Sequence, residues 1–150
     1  MELPTIPPSD DFRFRATRQM RWSDEDNQKV VNNAVYMTLL EEARFEYFTG
    51  LGLVEDNQFP FVLMQTNIRF LSPGRGGESV EVELKTTGFT RSAFTQVSRI
   101  IESVSRRVLV EAEVLLVSWS NAERKKALTS ERFRTVVEQF EAGGEGAVQA

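Results

Sequence analysis

The sequence predicts an α+β protein in which an antiparallel sheet curls around one long apolar helix. Three observations predict it. Between Asn32 and Phe48 the apolar residues recur every three to four positions, as on one face of a helix. From Pro60 to residue 119 the period becomes two, as in strands with one buried face. This is the one long, strongly apolar helix in the chain, so several strands must share it as their core partner.

The elements follow in order. Residues 1–11, with Pro4, Pro7, Pro8 and the pair Asp10-Asp11, read as an irregular lead-in. Phe12, Phe14, Ala16, Met20 and Trp22 alternate with Arg13, Arg15, Gln19 and Arg21, which predicts a half-buried strand. Ser23 to Val31 is polar and aperiodic at its start, and predicts a loop. The helix begins where Asn32 or Asn33 can cap it. Tyr36, Leu39, Leu40, Ala43, Tyr47 and Phe48 form its apolar stripe; Glu41, Glu42, Arg44 and Glu46 fall mostly off it, and Gly50 and Gly52 stop it. Val62, Met64, Thr66, Ile68 and Phe70 then alternate with Gln65, Asn67 and Arg69, and Ser72 to Gly77 is a turn. Val80, Val82 and Leu84 alternate with Glu81, Glu83 and Lys85, and Thr87 to Arg91 breaks the pattern. Residues 92–104 and 107–119 are two longer strands joined near Ser105-Arg106. Leu128 to Phe140 predicts a short helix and 141–150 a flexible tail, so the folded domain is expected to span 12–140.

Composition narrows the chemistry. The chain is 41% hydrophobic and 27% charged, enough to bury a core and stay in solution. Its net charge of −4 argues against a nucleic-acid partner held by phosphate attraction. No apolar run is long enough for a membrane span and no leader pattern opens the chain, so the cytoplasm is the expected setting. There is no Cys, which excludes disulfides, thiolate metal sites and a Cys nucleophile. There is no His, which excludes a Ser-His-Asp triad and an HExxH zinc site. Acid–base chemistry must rest on carboxylates, Lys, Tyr or backbone dipoles with water; no metal or other cofactor is expected.

The segment from Arg21 to Glu46, RWSDEDNQKVVNNAVYMTLLEEARFE, concentrates the candidates. It resembles the signature of the 4-hydroxybenzoyl-CoA thioesterase-like branch of the hot-dog superfamily: R-aromatic-x-D-x-D closing a strand, a short loop with V-N-N, then a helix with Tyr and E-E-A-R. Arg21, Trp22, Asp24, Asp26, Val31, Asn32, Asn33, Tyr36, Glu41, Glu42, Ala43 and Arg44 fall at matching offsets. Phe70 to Glu78, FLSPGRGGE, is similar to the turn that follows in that family. The resemblance implies a hot-dog fold with five antiparallel strands wrapped on the central helix. It implies hydrolysis of an acyl-CoA thioester by a homodimer or homotetramer with the site between subunits; an acyl-ACP carrier is the alternative.

The resemblance makes Asp26 the catalytic carboxylate, as nucleophile or as base for water. The physics of the segment agrees, because a helix N-terminus offers unpaired N–H groups and a positive dipole end to a developing oxyanion. Val31 and Asn33 are the residues expected at that oxyanion site, and Asn33 serves equally well as a helix cap. An Asp before a helix is also a common turn residue. Asp24 reads as a loop-holding residue, Tyr36 as core or as a substrate contact, and Glu41 and Glu42 as reserve catalytic carboxylates or solvated helix charges, with Glu41 able to pair with Arg44. Thr90, Arg91 and Ser92 resemble the region that meets CoA phosphates and pantetheine; Arg75 is a weaker candidate. Val30 stands where many relatives carry His, which keeps a non-catalytic acyl-CoA-binding domain as an alternative. Lys29 stands where several carry Gly or a basic residue.

Overall fold

The structure, a computed structural model, describes residues 5–143. Its elements are β1 (Phe14–Gln19), α1 (Asn33–Gly50), β2 (Phe61–Phe70), β3 (Ser79–Phe89), β4 (Ala93–Glu102), β5 (Val108–Ser120), β6 (Lys125–Lys126) and α2 (Glu131–Glu141). The long strands form one antiparallel sheet in the order β1-β3-β4-β5-β2, with the two-residue β6 pairing only with β5. This is the expected hot-dog architecture: a long helix wrapped by five antiparallel strands, with a short helix following. The two-residue sixth strand, Lys125–Lys126, carries no apolar alternation that would mark it in the sequence.

α1 packs on the concave face of the sheet because its stripe is continuous. Tyr36, Leu39, Leu40, Ala43, Tyr47 and Phe48 are all buried, against Val80, Val82 and Leu84 of β3 and Ile100, Val110 and Leu116 of β4 and β5. At the C-terminal end of α1 the rings of Phe48, Phe61, Phe94 and Phe133 meet with centroids 5.0 to 6.3 Å apart, which docks α2 onto the sheet. No helix among the described residues is long and apolar enough to cross a membrane.

Several boundaries differ from expectation. β1 ends at Gln19, and Trp22 lies in a 3-10 turn (Trp22–Asp24) with its side chain 85% exposed, not on the buried face with Met20. The turn reverses the chain before the alternation can place it. β3 continues to Phe89, with a bulge between Thr86 and Gly88, so the break falls at Thr90 to Ser92 and not at Thr87 to Arg91. α2 starts at Glu131 under a Ser130 cap, leaving Leu128 exposed, and it extends through Glu141. Glu141 is tied to the core: its Oε2 accepts from the Thr86 N–H at 2.7 Å and from Tyr47 Oη at 2.8 Å. Of the expected tail, residues 144–150 lie outside the described residues, as do residues 1–4 of the lead-in.

The convex face carries a row of alternating charges that crosses all five long strands: Arg15, Glu83, Arg99, Glu111 and Arg69, each opposite the next in register. Adjacent members approach at 3.1, 3.8, 3.7 and 2.7 Å. Glu83, expected on a solvated face, is fully buried because Ser9 covers it and donates to its Oε1 at 2.9 Å. A one-residue slip of any strand would set apolar residues into this row and charges into the core.

Candidate active site

The Asp26 loop is shaped by local backbone bonds. Asp26 N–H donates to the Val30 carbonyl at 2.9 Å and Lys29 N–H to the Asp26 carbonyl at 3.1 Å. Lys29 has φ of 62°, the left-handed conformation in which Gly is most at ease, and Arg75 Nη1 bonds its carbonyl at 2.9 Å. The loop is anchored below by Asp24, which is buried and accepts from Arg21 through the backbone N–H (2.7 Å), Nε (3.1 Å) and Nη2 (2.8 Å). Burial pushes the Asp24 pKa up, but the bonds and charge of Arg21 outweigh it and hold the group below its ordinary value. The Ser72–Gly77 turn packs against the same loop. Gly76 N–H donates to Glu25 Oε2, and a Cβ on Gly76 would come within 2.9 Å of the Trp22 Cα, so only Gly fits there.

Asp26 itself is half-buried. Its Oδ1 accepts from Gln28 N–H at 2.8 Å, and it forms no ion pair among the described residues. Of the two candidate caps, Asn32 caps α1: its side chain accepts from Ala34 N–H at 2.9 Å. Asn33 is therefore freed from capping. It is exposed at the first helical position, and its N–H has no hydrogen-bond partner among the described residues. Val31 is different: its N–H donates to the Gly74 carbonyl at 2.8 Å and its side chain is buried, so it offers no free donor to an oxyanion. Tyr36 is also committed. Its hydroxyl accepts from Gly74 N–H at 3.1 Å in the core, which places it under the turn; burial raises its pKa.

Glu41 and Glu42 are exposed on α1. Glu42 pairs with Arg18 at 3.4 Å, while Glu41 forms no ion pair with Arg44 within bonding distance. Arg44, expected off the stripe, is buried, and its Nε donates to Gln96 Oε1 at 3.3 Å. Its spacing of four from Leu40 and from Phe48 puts it on the buried face, a signal that its charge masks. Thr90, Arg91 and Ser92 form the β3–β4 connection. Their backbone is fixed by Thr90 N–H to the Ala93 carbonyl (2.8 Å), Ser118 N–H to the Ser92 carbonyl (2.8 Å) and Thr129 N–H to the Arg91 carbonyl (2.9 Å), which leaves the Arg91 side chain exposed.

Within the chain these two groups do not meet. The Asp26 loop lies at the N-terminus of α1, beside the sheet end where Val80 pairs with Glu102. The Thr90–Ser92 connection lies beyond Ala93, at the other end of β4, by the start of α2. β4 has 10 residues, roughly 30 Å of strand. A cleft of about 440 Å³ opens between α1 and the free edge of β2, lined by residues including Met37, Glu41, Arg44, Phe61 and Leu63. A larger cavity of about 580 Å³ lies at the α2 end and holds none of the expected catalytic residues. Among the described residues no group of three or more acidic side chains gathers as a metal site.

Sequence and structural comparisons agree with this architecture. The profile described as the Thioesterase-like superfamily matches residues 20–137, and the chain belongs to that superfamily: the class it defines is the hot-dog thioester hydrolases. Among solved structures, the chain is similar to a thioesterase complexed with coenzyme A and Zn from Thermus thermophilus, with 25% identity, TM-score 0.75, and coverage of 84% of this chain and 98% of that one. It is similar to PA2801, a putative thioesterase from Pseudomonas aeruginosa, with 26% identity, TM-score 0.73, and coverage of 82% and 96%. Slr0204, a 1,4-dihydroxy-2-naphthoyl-CoA thioesterase from Synechocystis, shares the fold at 24% identity, TM-score 0.76, covering 85% and 97%. No curated protein matches the chain.

Proposed function

We propose that the protein hydrolyses acyl-CoA thioesters, with Asp26 as the catalytic carboxylate and the N-terminus of α1 as the oxyanion site. The observation that carries the reading is the pairing, in a superfamily member, of a half-buried carboxylate without an ion pair and a helix whose first N–H, that of Asn33, is unpartnered. In the base route Asp26 takes a proton from water, the oxygen bonds to the thioester carbon, the carbonyl electrons settle toward the Asn33 N–H, and collapse expels the CoA thiolate, which takes up the proton. In the nucleophile route the carboxylate itself attacks the thioester carbon, the C–S bond breaks to release the CoA thiolate, and water then hydrolyses the mixed anhydride to the free acid, restoring the Asp26 carboxylate and giving its proton to the thiolate. Asn33 supplies the donor in both, with Val31 removed from that role. The similarity to a thioesterase that binds coenzyme A supports the carrier.

The site is completed by a second copy. β2 is a free sheet edge bearing exposed Val62, Leu63, Met64 and Phe70, with exposed Leu71 just beyond it. Two-fold antiparallel pairing of β2 edges brings the Arg91 end of one protomer to the Asp26 end of the other, joining the halves that one protomer holds roughly 30 Å apart. In this reading Arg91, Thr90 and Ser92 hold the CoA phosphates and pantetheine of a substrate cleaved on the partner, in a homodimer or a homotetramer built from it, in the cytoplasm. Val30 favours the second reading, an acyl-CoA-binding domain without turnover. Thiol release from a panel of short, long and aryl CoA thioesters decides between them: release supports hydrolysis, and binding with no release anywhere in the panel overturns it.

A further inference from the structure

Arg44 is 5% exposed, and among the described residues its Nε alone has a partner, Gln96 Oε1 at 3.3 Å. Neither terminal guanidinium nitrogen has a hydrogen-bond or ion-pair partner among the described residues. Gln96 cannot turn to serve them, because its Nε2 is committed to Thr86 Oγ1 at 3.0 Å. Burial lowers the Arg44 pKa to about 10, with the charge of Glu41 opposing the shift, so the side chain stays a cation at neutral pH. The charge of Glu41 acts on it from a distance without a bond, so the two terminal nitrogens are open to an anion brought to them.

The place that anion would come from is visible. Arg44 lines the cleft between α1 and β2, whose other walls include the apolar Met37, Phe61, Leu63 and Leu116, and which opens beside the edge where the second copy is proposed to pair. Met37, Glu41 and Arg44 succeed one another along one face of α1, leading away from Asn33. Arg44 is eleven residues beyond Asn33, roughly 16 Å of helix rise, shortened by the lean of long helical side chains toward the N-terminus. An acyl chain whose thioester carbonyl rests at the helix start would lay its methylenes on the apolar walls and bring its far end to the guanidinium.

We propose that this cleft takes the acyl chain and that Arg44 is its specificity residue, selecting acyl groups of medium length that end in a carboxylate. The inference rests on the thioesterase reading and names its substrate class. A guanidinium with two free terminal nitrogens matches a carboxylate bidentately, which an alkyl end cannot use. A methyl terminus would instead leave the guanidinium unpaired against hydrocarbon, a penalty that rejects the plain fatty acyl chain. Glu41, in the same cleft one turn nearer the helix start, repels the incoming carboxylate and tempers its affinity.

The test compares suberyl-CoA with octanoyl-CoA, adding adipyl- and sebacyl-CoA to bracket the length, in the wild type, Arg44→Met and Arg44→Lys. The wild type is expected to favour the best ω-carboxyl substrate over its alkyl counterpart by about tenfold or more in kcat/KM. Arg44→Met should abolish that preference, and Arg44→Lys, which folds if the apolar variant does not, should weaken it several-fold. Thermal stabilisation by free suberate, absent with octanoate, gives a readout independent of turnover: it should disappear in Arg44→Met and grow in Glu41→Gln. Equal or better hydrolysis of octanoyl-CoA by the wild type overturns the proposal, as does a carboxyl preference that survives Arg44→Met. If no thioester is hydrolysed, the thioesterase reading fails, and the suberate shift alone decides: present and Arg44-dependent, it upholds the anion site; absent, it overturns it.

Discussion

Replacing Asp26 with Asn should separate catalysis from folding, and replacing Asp24 with Asn should do the reverse. Asp26 is half-buried, forms no ion pair among the described residues and uses its Oδ1 for Gln28 N–H at 2.8 Å. Asn keeps that acceptor, so only the charge-assisted part of one turn bond is lost, about 0.5 kcal/mol, or roughly 1–2 °C in Tm for a chain of this length. The loss of a positioned base or nucleophile is far larger: about a hundredfold or more in kcat, near 2.7 kcal/mol of barrier, with KM little changed. Asp24 accepts three bonds from Arg21. Asn there keeps one acceptor and turns an amide N–H₂ toward the guanidinium, lowering Tm by roughly 3–6 °C once the exposure of the Arg21 side chain is allowed for. Thiol release against substrate concentration and calorimetric unfolding measure both. An Asp26→Asn protein that keeps more than about a tenth of wild-type kcat, or that loses activity only in step with Tm, would refute the assignment, and Glu41 and Glu42 would be substituted next.

Further outcomes follow from the same geometry. Met64→Glu, on the free β2 edge, should turn the proposed dimer into a monomer by light scattering and abolish hydrolysis; a fully active monomer would contradict the shared site. Arg91→Ala should raise KM for a full CoA thioester roughly tenfold with kcat nearly unchanged, and the effect should shrink with a thioester lacking the nucleotide. Burial raises the Glu141 pKa against the bonds it accepts from Thr86 and Tyr47. The folded state therefore holds that proton more tightly than the unfolded chain, and its contribution to stability is full below pH 4.5 and lost as pH rises through the raised value. Glu141→Gln should remove that loss, so its Tm should gain on the wild type between pH 4.5 and 7; parallel Tm curves would show Glu141 to be uncoupled. Asp24 acts in the opposite direction, losing its contribution as pH falls from 3.8 through its lowered value.

The sequence by itself determined the elements whose signal is periodic. The α1 stripe at Tyr36 to Phe48 and the β3 alternation at Val80, Val82 and Leu84 are buried as their spacing demands, because a face that repeats at 3.6 or at 2 can be covered only one way. It also determined the family, because the R-W-x-D-x-D, V-N-N and E-E-A-R offsets lie within one contiguous segment. Tertiary structure decided what depends on contacts between distant residues. Val31 lost its N–H to the Gly74 carbonyl, far along the chain, and Tyr36 lost its hydroxyl to the same turn. Glu83 was buried by Ser9, and Glu141 was drawn from an expected tail into bonds with Tyr47 and Thr86. Arg44 went into the core because the helix face on which it stands is set by spacing, while its charge had suggested solvent. In α1 and β3 the period fixes the side a residue faces, but the atoms it meets there come from elsewhere in the chain, and no local pattern encodes them.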